Sequence, residues 1–174
     1  QEKDLEIDRL RAEAESLPEE LVALQGQVET LEERLTNLLE RRAELEREYN
    51  RHSLDIEDLS AKEKQAEEEQ KRAQSAREQT QYENRIQQIK DRIRELLELS
   101  TPIMEAMENL EAEIAQVEEE LAALRPRLQE LLEANRARVA ELEAAIAAKV
   151  EERTAMAAAI PAQILKEYEA IRRA

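Results

Sequence analysis

The chain has 174 residues and a formal net charge of −16, with 39% charged and 2% aromatic residues, one glycine and no phenylalanine, tryptophan or cysteine. Such a composition cannot fill the layered core of a globular domain, and the scarcity of β-branched and aromatic residues excludes a sheet. The acidic balance argues against a general polyanion binder, and the apolar surface that exists has to be arranged as a seam.

In chain order, residues 2–15 read as a short helix with Leu5, Ile7 and Leu10 on its apolar side. Ser16-Leu17-Pro18-Glu19 has the form of a capping box with a proline in the first turn, which predicts a break followed by a new helix. Over 17–76 apolar residues return at alternating spacings of three and four: Leu17, Leu21, Leu24, Val28, Leu31, Leu35, Leu38, then Leu45, Tyr49, Ile56 and Leu59. A turn is predicted at 77–81. The same ladder resumes in a second helix over 82–160, from Tyr82 through Ile86, Ile89, Ile93, Leu96, Ile103, Met107, Leu110, Ile114, Val117, Leu121, Leu124 and Leu128 to Leu131. Thr101-Pro102 predicts a kink with a restarted helix, and Pro126 removes one further backbone hydrogen bond. Beyond Leu131 the ladder drifts through Asn135 and Arg138 into an alanine-rich stretch, which lets a third segment approach closely; the first 15 residues are the candidate. Ile160-Pro161 ends the helix, and 161–174 forms a last short helix with Ile164, Leu165, Tyr168 and Ile171 on one face.

A mean spacing of 3.5 residues is the signature of a left-handed coiled coil. Two such ladders joined by a short turn predict an all-α fold, a long antiparallel intramolecular coiled-coil hairpin with short flanking helices at its base. Partners whose residue numbers add to 159 join a to d positions throughout, pairing Ile56 with Ile103, His52 with Met107, Leu45 with Ile114 and Arg42 with Val117. Sums shifted by whole heptads also match a to d. The expected sum is 159.

No constellation in this chain carries enzyme chemistry. His52 is the only histidine and falls on the seam, where a tolerated polar residue is the plain reading. Arg42 reads as a snorkelling side chain paired with a flanking glutamate. The runs Glu67-Glu68-Glu69 and Glu118-Glu119-Glu120 are solvated helix surface, since consecutive residues do not converge on a metal. No cofactor or metal site is expected here, and the longest uncharged stretch is too short for a membrane span. Two groups remain as contact candidates. Arg77, Gln79, Gln81 and Tyr82 at the tip suit a protein partner, because loops at the end of a scaffold commonly carry recognition. Arg125, Arg127, Arg136 and Arg138, two pairs repeating after eleven residues, form with Arg172 and Arg173 a basic strip near the base suited to nucleic acid; the alternative is ion pairing with the many glutamates. Leu39, Leu54, Leu97 and Leu132 lie beside the seam and offer a way to pair two hairpins as a homo-oligomer.

Three stretches carry a resemblance: LEIDRLRAEAESLPEEL at 5–21, QTQYENRIQQI at 79–89 with Tyr82-Glu83, and IPAQILKEYEAIRR at 160–173 with Tyr168-Glu169-Ala170-Ile171-Arg172. In their order and places the chain resembles bacterial coiled-coil hairpin proteins of the four-cysteine zinc-ribbon family, although no cysteine follows. The resemblance implies a cytoplasmic adaptor or chaperone-like protein, with links to an alternative sigma factor, to flagellar or type III secretion assembly and to RNA. It also implies zinc in a C-terminal domain absent from this chain. The two functional expectations are therefore a non-enzymatic scaffold for protein partners and, alternatively, a nucleic-acid-binding regulatory factor.

Overall fold

The computed structural model describes residues 2–159 and 162–173, and every element among them is a helix: α1 (Glu2–Glu15), α2 (Glu19–Arg72), α3 (Ala76–Ala159) and α4 (Ala162–Arg173). The fold is all-α, and α2 and α3 are the arms of a coiled-coil hairpin. The helices fall into two compact units. Thr30–Leu121 contains the turn between the arms, and Gln1–Glu29 with Ala122–Ala174 contains α1 and α4. The expected helix stop at Ile160-Pro161 lies outside the described residues.

Within the turn-containing unit the buried residues of α2 are Leu45 and Ala66, and those of α3 are Ile86, Leu96, Ser100, Ile103, Ile114, Val117 and Leu121. In the other unit Leu21, Leu24 and Val28 are buried on α2. All of them keep the predicted spacing, with Ser100 filling the step between Leu96 and Ile103 and Ala66 a heptad beyond Leu59, because burial on a helix with one partner follows the residues that recur every half-heptad. The remaining ladder positions of α2 and α3, among them Arg42, Tyr49, His52, Gln70, Tyr82 and Met107, are half-buried.

The turn differs from the expectation. α2 ends at Arg72 and α3 begins at Ala76, so the connection is Ala73–Ser75 and not 77–81. A capping box builds it: Ser75 Oγ accepts from the Glu78 N–H at 3.1 Å, and Glu78 Oε2 accepts from the Gln74 N–H at 3.3 Å. Serine thereby satisfies one donor that the α3 N-terminus leaves open, and the glutamate three residues later reaches back past it to the Gln74 N–H in the connection. Gln70 Nε2 donates across the turn to the Gln79 carbonyl at 3.4 Å.

The register moves with the turn. Arg42 Nη2 bonds Glu111 at 2.8 Å, and Lys90 Nζ lies 3.8 Å from Glu63. The residue numbers add to 153 in both pairs, one more than for seam layers adding to 152, a whole heptad below the expected 159. Leu45 therefore lies level with Met107 rather than Ile114, Ile56 with Leu96, and Arg42 with Leu110 rather than Val117. His52 lies level with Ser100, so two polar seam residues share a layer instead of each opposing an apolar one.

Two local expectations are also corrected. α3 runs as one helix through Pro102 and Pro126, with no restart. Thr101 Oγ1 donates to the Leu97 carbonyl at 3.1 Å, and Ser100 Oγ to that of Leu96 at 2.8 Å, so Thr101 is an interior residue and not a cap. Both prolines are exposed, while Leu96, Ser100 and Ile103 are buried on either side of Pro102. Seam burial on both sides outweighs one missing hydrogen bond, a cost of about 3 kcal/mol. The break at Ser16–Pro18 is present, but Ser16 finishes α1 instead of starting α2: its N–H donates to Ala12 O at 3.1 Å and its hydroxyl to Glu13 O at 2.9 Å.

The register is testable because the chain contains no cysteine. Leu45→Cys with Met107→Cys should close a disulfide on mild oxidation, whereas Leu45→Cys with Ile114→Cys should not, since seven residues move the second thiol about 10 Å along the helix. Closure of only the second pair returns the alignment to the expected sum. The caps separate equally well in urea unfolding. Ser75→Ala should cost about 1 kcal/mol, and Ser16→Ala should leave the start of α2 unaffected.

Candidate functional site

In the unit that contains α1 and α4, one buried carboxylate gathers three helices. Asp4 on α1 is 4% exposed, although it is charged. On α3, Arg153 Nε donates to Asp4 Oδ1 at 2.6 Å; on α4, the Tyr168 hydroxyl donates to Asp4 Oδ2, and Arg172 Nε lies 3.6 Å from the same oxygen. Around this centre Arg172 also meets Asp8 at 3.3 Å, Arg153 meets Glu169 at 3.4 Å, Lys149 meets Glu6 at 3.1 Å, and Lys3 pairs with Glu152. α1 is thus the segment that packs on the alanine-rich end of α3, and α4 folds back onto α1.

The stripe by which α1 docks differs from the predicted one. Asp4 and Ile7 are buried and Leu10 and Ala14 half-buried, whereas Leu5 is 66% exposed. Leu5 and Ile171 instead line an open cleft of about 460 Å³ together with Asp4, Asp8, Tyr168 and Arg172.

Burial alone pushes the Asp4 carboxyl up, but the hydrogen bonds from Tyr168 and Arg153, and the charges of Arg153 and Arg172, outweigh it and hold the group below the usual aspartate range. The hydrogen bond to Asp4 is also the main cause that raises Tyr168 and Arg153 above their ordinary values. This geometry clamps helices. Among the described residues no group of three His, Cys, Asp or Glu side chains is placed to hold a metal ion.

The predicted basic strip is divided among structural tasks. Arg138 donates to the Glu13 carbonyl at 3.0 Å, the Ser16 carbonyl at 2.7 Å and Asn135 Oδ1 at 2.9 Å, closing the C-terminus of α1, where a cation also complements the helix dipole. Arg127 bridges Glu20 at 2.9 Å and Glu130 at 3.4 Å, Arg172 serves Asp4 and Asp8, and Arg125 is also engaged. Arg136 and Arg173 are exposed and make no ion pair among the described residues.

In the other unit, the residues predicted at the tip lie in the first two turns of α3. Arg77, Gln79 and Gln81 are exposed, and Tyr82 is half-buried as the first seam residue. The pairing expected for Arg42 is present through Glu111, and His52 Nε2 lies 3.9 Å from Glu48. Asp4, Arg153, Ser75 and Glu78 were absent from the predicted contact residues. Only the last two carried a sequence signal, the Ser-x-x-Glu pattern.

The CT398-like coiled coil hairpin domain matches residues 1–174. The chain belongs to this family. A solved structure from Mycobacterium smegmatis shares 25% identity with it over 99% of this chain and 72% of that one, with a TM-score of 0.85. No curated protein matches. The CT398-like hairpin accounts for the α2–α3 arms and includes α1 and α4 in its span. No described helix is long and apolar enough to cross a membrane.

The clamp should respond to pH at both ends. A depressed Asp4 contributes stability above its unfolded value near pH 4 and loses it as pH falls through the lower folded value; a raised Tyr168 contributes below about pH 10 and loses it as pH rises through its folded value. Asp4→Asn should make amide exchange in 162–173 roughly tenfold faster at neutral pH and reduce the acidic transition to the part carried by Glu152, which Lys3 and Lys149 also hold below its ordinary value. Unchanged exchange in the variant means that α4 is held by its apolar face instead.

Proposed function

We propose that this hairpin is a non-enzymatic scaffold or adaptor that meets protein partners at the α2–α3 turn; the chaperone-like role implied by the sequence resemblance is a narrower form of the same reading. The observation that carries it is the contrast between the two predicted contact groups. Most of the arginines suited to nucleic acid near α1 and α4 are occupied by carboxylates and helix-end carbonyls of the same chain, so few are available for phosphate. Arg77, Gln79 and Gln81 stay exposed beside a turn fixed by its own capping box. A rigidly capped turn with outward donors suits recognition, since it leaves little to order on binding. The family membership and the helical fold support a structural or interaction role without naming a partner.

Photo-crosslinking side chains at Gln79 and Gln81 of the full chain, expressed in its source cells, should yield discrete, saturable protein adducts. The same chain should pass through immobilised RNA and duplex DNA at physiological salt. Retention on nucleic acid that falls steeply with salt, with no protein adducts at the turn, overturns the scaffold reading in favour of a nucleic-acid-linked factor.

A further inference from the structure

The chain turns locally basic after the Glu67-Glu68-Glu69 run. Residues 70–94 hold seven cations and three acids, a net of +4 in a chain of −16. Lys90, Arg92 and Arg94 have carboxylate partners in Glu63, Glu95 and Asp91. Lys71, Arg72, Arg77 and Arg85 are exposed and, among the described residues, make no ion pair. Of the nearby acids, Glu78 is turned to the Gln74 N–H and Asp91 to Arg94, Glu67, Glu68 and Glu69 stand one turn before Lys71 and Arg72, and Glu83 is the one acid left among the first turns of α3.

Structural demands account for only part of this. Lys71 and Arg72 end α2, where cations complement the helix dipole. Arg77 stands in the first turn of α3, where the dipole disfavours a cation, and the helix gains nothing from it there. Arg77, Gln81 and Arg85 follow one another at four-residue steps and so share a face of α3, a row of planar donors.

From these observations we infer that the turn is a docking surface for an acidic, carboxylate-rich segment of a partner protein. The inference rests on the scaffold reading and specifies the partner's chemistry. Three guanidinium groups with exposed amides match carboxylates, which guanidinium binds in a forked, two-bond geometry. Nucleic acid fits less well. Single strands are held by stacking on aromatic faces, and the one aromatic residue here, Tyr82, is half-buried in the seam. For a duplex, four cations supply fewer phosphate contacts than stable binding draws on.

The test uses the full chain and a fluorescent helical peptide of about 20 residues with glutamates along one face, followed by anisotropy at low salt. The peptide should bind, and raising the salt to physiological strength should weaken binding about tenfold. Charge reversal by Arg72→Glu, Arg77→Glu and Arg85→Glu should weaken it at least about tenfold, while the matched control, Arg34→Glu, Arg47→Glu and Arg51→Glu on the exposed side of α2, should change it less than about twofold. Circular dichroism confirms that both variants keep their helices. Absence of peptide binding, equal loss in both variants, or tighter binding of RNA or DNA of the same length through the same three arginines overturns the inference. Crosslinks at Gln79 and Gln81 that persist in the turn variant would leave the scaffold reading standing while removing the acidic partner.

Discussion

Leucine and isoleucine seams hold two helices together without choosing between alignments that differ by a heptad. Slipping one arm by seven residues returns an a position to a d position, and the apolar contact area hardly changes. What selects the alignment is the small set of seam positions that are not apolar. Arg42 and Glu63 each reach a residue of opposite charge that flanks the facing layer, Glu111 and Lys90. Slipped by a heptad, both would lose these partners. His52 and Ser100 come level in the same alignment, so two seam interruptions weaken one layer in place of two. Polar residues in a coiled-coil seam lower stability and gain definition of register, and here four of them agree.

The seam itself was legible in the sequence because heptad spacing and burial express the same geometry: every buried residue of α2 and α3 lies on the ladder read from the spacing. The turn was not legible from that ladder, since the ladder is periodic and a period cannot locate its own end. Local chemistry could locate it. Ser75-Ala76-Arg77-Glu78 carries the capping pattern, as does Ser16-Leu17-Pro18-Glu19, and only the first is realised. At Ser16 the backbone N–H is already committed to Ala12, which makes the residue the end of α1 before it can begin α2. The prolines teach a related lesson. An exposed proline inside a helix whose opposite face is sealed removes one bond and leaves the cooperative seam intact.

Asp4 was invisible for another reason. Hydrophobic periodicity ranks residues by apolarity, so a stripe in which a carboxylate takes a core position drops out, and Leu5 was credited instead. The position makes sense only with its partners in view. Arg153 is 149 residues away in the chain and Tyr168 164 residues away, and neither carries a local signal for α1. An unpartnered buried carboxylate is destabilising, whereas one that receives two guanidinium groups and a hydroxyl is directional, fixing which faces of α1, α3 and α4 meet. The apolar faces of α1 and α4 alone would not specify this, with Leu5 and Ile171 both left largely exposed.

Counting arginines therefore says little about what an acidic helical protein binds; their neighbours decide. Arg127, Arg138 and Arg172 sit among carboxylates and helix-end carbonyls of their own unit, and the field they present outward is largely cancelled. Arg77 and Arg85 occupy a stretch where glutamine, threonine and asparagine replace most of the glutamates that fill the rest of the chain. These uncharged residues keep the helix surface hydrated without neutralising the cations. One residue type is thereby internal mortar in one unit and an outward-facing charge in the other, a distinction set by the side chains one helical turn away on either side.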